Sequence, residues 1–144
     1  METDRIAREF IARTLPKSEW THEAHLRVGL WHSLRHPEAD ALNLMRQRIR
    51  AYNESTGVAN TPDSGYHETI TRFYLRVIRC FLESAGCGGP IDELARELIA
   101  RFGERDLPLR HYTRERLFSA EARLNWLAPD LAPLPDIAAG ACIP

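Results

Sequence analysis

Histidine is the side chain whose ordinary pKa puts its change of charge near neutral pH, so histidines that recur at helical spacing are the first place to look for acid and base chemistry. His22 and His25 stand three residues apart in Trp20-Thr21-His22-Glu23-Ala24-His25-Leu26. A third, His67, follows the turn-rich stretch Thr61-Pro62-Asp63-Ser64-Gly65-Tyr66 and leads into Glu68-Thr69-Ile70-Thr71. Both stretches read as helix starts, where unpaired backbone N–H groups and the positive end of the helix dipole favour an anion. The spacing of His22 and His25 puts both imidazoles on one helical face.

His22, His25 and His67 are therefore expected to converge on one cavity as the catalytic groups. Tyr52, Asn53, Asn60, Tyr66 and Thr71 would orient a polar or anionic substrate beside them, and Arg123 would hold an anionic group through its planar fork of donors. Three chemistries remain open. Without metal, the imidazoles serve as acid and base in a proton abstraction, an elimination or an intramolecular ring closure. With a divalent metal such as zinc or iron, His22, His25, His67 and Glu68 are the ligand set, and the ion polarises a substrate oxygen or activates water. In a non-catalytic ligand-binding or interaction module, the histidines are structural, with His67 capping its helix or bonding a buried carbonyl.

Familiar signatures narrow the field by their absence. The chain has no glycine-rich phosphate loop, no His-Glu-x-x-His, no Gly-x-Ser-x-Gly and no paired Glu-x-x-His. Nineteen Lys and Arg against 20 Asp and Glu leave a formal net charge of −1, so the overall field favours neither a nucleic acid nor an anionic membrane as partner. A small molecule is the expected partner. Cys80, Cys87 and Cys142 follow no metal-ligand spacing and are expected to be reduced thiols. The charged first twenty residues do not read as a secretory signal, and the expected setting is the cytoplasm.

The run from Trp20-Thr21-His22 through His25-Leu26, then Tyr52-Asn53, Asn60-Thr61, Gly65-Tyr66-His67-Glu68-Thr69, Leu117-Phe118-Ser119 and Ala122-Arg123, resembles a family of small, largely uncharacterised bacterial proteins. The resemblance covers most of residues 17 to 135 and implies that these polar residues are the family's hallmark. The clustered histidines also look faintly like the DinB-type metal-binding helical bundles, although those space a histidine pair four apart on one helix.

The elements that must position these residues read as helices throughout. Residues 3 to 14 carry Ile6, Phe10 and Ile11 on one stripe, with Thr3 or Asp4 as a possible cap, and end at Pro16. A second helix runs from Thr21 to about Arg35, with residues 22, 25, 29 and 32 on one stripe and Gly29 leaving room beside His25 for another group. A third spans Ala39 to Tyr52, and residues 91 to 102 form an amphipathic fifth. The fourth, from about Tyr66 to Ser84 and capped by Thr61 or Ser64, is the most apolar, so Phe73, Val77, Ile78 and Phe81 should lie in the core. Thr113 and Ser119 look like caps of short helices, and Pro129, Pro133, Pro135 and Pro144 predict a tail, residues 126 to 144, extended over the bundle. No strand-period alternation of useful length competes, so the expected fold is an all-α bundle of about five helices with short C-terminal pieces, in one domain.

Overall fold

A computed structural model describes residues 1 to 134 and is an all-α bundle. Five helices make up the body: α1 (Glu2–Ala12), α2 (His22–Arg35), α3 (Glu38–Ser55), α4 (Glu68–Ala85) and α5 (Ile91–Phe102). Two short helices follow, α6 (Arg114–Leu117) and α7 (Ala120–Leu124). No strand occurs among the described residues, and none of their helices is long and apolar enough to cross a membrane.

The apolar spacing accounts for the packing. Ile6, Ala7 and Phe10 give α1 a single buried stripe, and Ala41, Met45, Ile49 and Tyr52 give α3 another. Helices α2 and α4 are buried on more of their circumference, and α4 touches α2, α3, α5 and α7. One core cluster joins Phe10, Val28, Met45 and Tyr52, and a second joins Leu26, Leu30, Ile78, Phe81 and Leu98. A third binds Phe73 and Val77 of α4 to Leu107, Tyr112 and Leu117. The expected core residues of α4, namely Phe73, Val77, Ile78 and Phe81, are all buried.

Caps show where local sequence decides and where it does not. Thr21, Thr113 and Ser119 each accept a bond from the backbone N–H three residues on, which satisfies a donor that the first turn leaves open. Helix α1 has no such cap from Thr3 or Asp4. Its first N–H groups instead reach the Asp92 carboxylate at the start of α5, at 3.2 and 2.9 Å. At the other end of α2 the buried Arg79 of α4 donates to the carbonyls of Ser33 and His36, at 3.0 and 2.8 Å.

Two expectations need correction here. Thr61 and Ser64 do not cap α4, because they pair with each other in a tight turn and the helix starts only at Glu68, capped by His67. The expectation of reduced thiols holds at Cys80, which is a thiol, but not at Cys87, which is disulfide-bonded. Cys142 and the tail beyond residue 134 lie outside the described residues. Up to that point the tail is held to the bundle: the Tyr112 hydroxyl donates to Leu127 O at 2.6 Å, Arg116 Nε donates to Ala128 O at 2.7 Å, and the Leu131 N–H donates to His111 O at 2.9 Å.

Candidate functional site

The cap at Thr21 starts α2 so that His22 and His25 fall in its first turns, with Trp20 just before them. His25 Nδ1 lies 2.7 Å from the carbonyl oxygen of Thr21. A carbonyl only accepts, so Nδ1 carries the proton and Nε2 is left as a lone pair. The ring is stacked on Trp20 at 3.7 Å, and Trp20 on Phe10 at 4.4 Å, which fixes the plane of the imidazole against the core. His25 Nε2 has no protein partner among the described residues.

Both histidines line a cavity of about 340 Å³ where the first two core clusters meet between α2, α3 and α4. Its wall is mainly apolar, from Leu26, Met45, Ile49, Ile70, Leu75 and Ile78. Polar groups enter from His22, His25, Thr71, Tyr74 and Arg105. Size and lining are those of a small-molecule site: apolar walls with a few convergent polar groups. Gly29 also lines it, but the space it leaves is taken largely by the tip of Ile78, which would lie 2.8 Å from an added Cβ.

His22 is the distinctive group. Its Nε2 is buried and is the one buried side-chain nitrogen or oxygen without a partner among the described residues. Such an atom costs about 1 to 3 kcal/mol unless something satisfies it. Tyr74 meets the ring edge-on at 5.5 Å. Desolvation lowers the His22 pKa, the charge of Arg105 adds to this, and the carbonyl of Gly103 opposes it. The His25 pKa is lowered in the same direction, by desolvation against the bond to Thr21 O, but the residue is exposed, so burial acts on it less fully than on His22. Both imidazoles are therefore neutral at pH 7. Burial pushes the Tyr74 hydroxyl up to about 12, which keeps it a proton donor.

The expected third histidine is elsewhere in role and place. His67 is the cap of α4: Nδ1 accepts the Ile70 N–H at 3.1 Å, and Nε2 donates to Leu117 O at 2.8 Å. Both ring nitrogens are thus spent on the scaffold, and His67 is not part of the cavity wall. Its role follows from a contact fifty residues away, which no local pattern carries. His67→Ala is expected to destabilise the fold by about 1 to 3 kcal/mol, since it removes a cap and strands a buried carbonyl. Denaturant midpoints check the cost; a loss under about 0.5 kcal/mol would mean that water replaces both bonds.

The remaining expected residues divide in the same way. Thr71 lines the cavity while its hydroxyl donates to His67 O at 2.8 Å. Tyr52 is a core residue whose hydroxyl donates to Leu15 O at 2.8 Å. Asn60 organises the loop before α4, accepting from Asn53 Nδ2 at 3.1 Å and Tyr66 N at 3.0 Å and donating to Arg50 O at 3.2 Å. Gly65 fits there because its φ is +80° and a Cβ would strike Ala59 O at 2.5 Å. Arg123 donates to Gly65 O at 2.8 Å.

Glu68 takes two bonds from Arg46, at 2.8 and 2.6 Å, and one from the Tyr66 hydroxyl at 2.7 Å. Burial raises its pKa, but those bonds outweigh burial and leave it lowered and ionised. The expected metal set His22, His25, His67 and Glu68 therefore does not assemble. Among the described residues no three His, Cys, Asp or Glu side chains gather as a metal site would require.

Tyr74 and Arg105 were not among the expected site residues. Tyr74 does carry a signal, one turn beyond Ile70 and Thr71 on the same face of α4, but it reads equally as core. Arg105 carries none, because only the turn after α5 brings it to α2. Comparison of the chain with protein-family models, with curated proteins and with solved structures finds no match.

Proposed function

We propose that the cavity between α2, α3 and α4 binds a small molecule with an apolar body and a polar or anionic end, and that His22 and His25 perform acid and base chemistry on that end. The observation that carries this reading is the unpartnered, buried Nε2 of His22 in a mainly apolar cavity whose wall it shares with His25. Two neutral imidazoles can accept a proton from a bound hydroxyl, acidic C–H or carboxylic acid and return it to another atom of the same molecule. Arg105 supplies the charge that draws and orients an anion. The reaction class is a proton abstraction, elimination or ring closure. The metal-assisted alternative is not favoured, because the donor set does not converge. A binding module without turnover would use the same cavity, and the apolar wall suits it equally well.

Binding of an anion beside His22 and His25 should raise their pKa values and draw in protons, so affinity should strengthen as pH falls from 7 towards 5. Imidazole ¹⁵N signals, titrated with hexanoate and benzoate as probes, provide the measurement. Saturable shifts at His22 and His25, abolished by Ile70→Trp and weakened on the order of tenfold by His22→Gln, are expected. Probes that leave both imidazoles unmoved, or that bind Ile70→Trp unchanged, would reject the cavity as the site. Bound probe molecules converted to product would mark an enzyme, and binding without conversion of any acid tried would mark the module.

A further inference from the structure

A second cavity, of about 380 Å³, lies on the other side of the α3 and α4 contact and has the opposite character. Its wall carries four arginines, Arg46, Arg50, Arg72 and Arg123, against the single carboxylate of Glu68. That carboxylate cannot neutralise them all, because Arg46 and the Tyr66 hydroxyl already occupy it. Arg123 spends one nitrogen on Gly65 O. Arg72 lies over the Trp126 ring at 4.7 Å and donates no hydrogen bond among the described residues, and the side chain of Arg50 likewise has no described partner. Three guanidinium groups with open donors, those of Arg50, Arg72 and Arg123, thus line one cleft.

The wall is also built in advance. Trp126 belongs to a segment clamped by Thr69, whose hydroxyl donates to Asn125 O at 2.8 Å and accepts the Leu127 N–H at 3.1 Å. Across the cleft, Asn60 holds the backbone of Arg50 and Tyr66 together. Such a frame lets arginines bind without the loop ordering that normally weakens association. We infer that this cleft, separate from the histidine cavity, is a binding site for the phosphate group of a small molecule. A phosphate matches the site better than a carboxylate because it carries close to two charges and three acceptor oxygens for several forked donors.

The inference can be tested whatever the outcome at His22 and His25. The Trp126 indole and arginine Nε signals would be followed by NMR as full-length protein is titrated with inorganic phosphate, phenyl phosphate and benzoate, with sodium chloride holding ionic strength constant. Saturable shifts with either phosphate, weakened on the order of tenfold in Arg50→Gln and in Arg72→Gln, are expected. Both side chains are exposed, so neither variant should unfold the protein. Tighter binding of phenyl phosphate than of inorganic phosphate would identify a monoester, and equal binding would identify the free ion. Benzoate binding as tightly as phosphate, shifts that never saturate, or affinities unchanged in both variants would overturn the proposal.

Discussion

Phe81→Ala should lower the unfolding free energy by about 3 to 5 kcal/mol. Phe81 is 1 % exposed, on the α4 face that meets α2 and α5, and shares its cluster with Leu26, Leu30, Ile78, Leu82 and Leu98. The ring of Phe102 stands edge-on to it at 6.3 Å. Truncation removes the burial of a whole aromatic ring and leaves a void that helices anchored on both sides cannot close, and the two losses add. The expected signature is a lower denaturant midpoint with an unchanged slope, because the same surface is exposed on unfolding. A cost below about 1 kcal/mol would show that α2 and α5 collapse into the space and that α4 is not the rigid centre of the bundle.

Lowering the pH from about 6.5 to about 4 should remove stability on the order of 3 kcal/mol through His32. This histidine is 0 % exposed; its Nδ1 donates to Val28 O at 2.7 Å, and its Nε2 accepts from Arg48 at 2.7 Å. It is therefore held neutral, and protonation would set a cation against the Arg48 guanidinium. Desolvation is the main cause, with Arg48 adding to it and the Val28 carbonyl opposing it, and the pKa is pushed from 6.5 down to about 4. In that window the unfolded chain binds the proton and the folded chain does not. The contribution is thus fully present above pH 6.5, declines as pH falls, and is gone below about 4. The lowered values of His22, His25 and His67 act in the same direction. Unfolding free energy measured across that range in the parent and in His32→Gln gives the test, since glutamine keeps an acceptor for Arg48 but does not titrate. An identical slope in the two proteins would place the acid sensitivity elsewhere.

The histidines of α2 show how one spacing rule can be right about placement and silent about role. Residues 22, 25, 29 and 32 share a stripe as the helical period requires. Along that stripe His22 and His25 face a cavity, Gly29 admits Ile78, and His32 is sealed against α3 by Arg48. Nothing in the 3-4-3 spacing separates these outcomes, because each depends on what the neighbouring helix presents. The second helix start misled for a related reason. Tyr66, Glu68, Asn60 and Arg123 do gather, but they line a different cleft, while the His67 ring bonds Ile70 N and Leu117 O.

From the amino-acid order alone came the helical class, the five-helix body, the central apolar helix, the caps at Thr113 and Ser119, and the pairing of His22 with His25. These follow from interactions within a few residues: apolar period, side-chain bonds to the first free N–H groups, and breaks at proline and glycine. Tertiary structure decided that Asp92 caps α1, that His67 is spent on Leu117 O, that Glu68 belongs to Arg46, and that Tyr74 and Arg105 join the histidine cavity. It also sorted the polar residues into one apolar cavity and one arginine-lined cleft. The reason is that a buried polar group must find its partner wherever the fold brings one, at any distance along the chain, whereas helical period reports only the face on which that group starts.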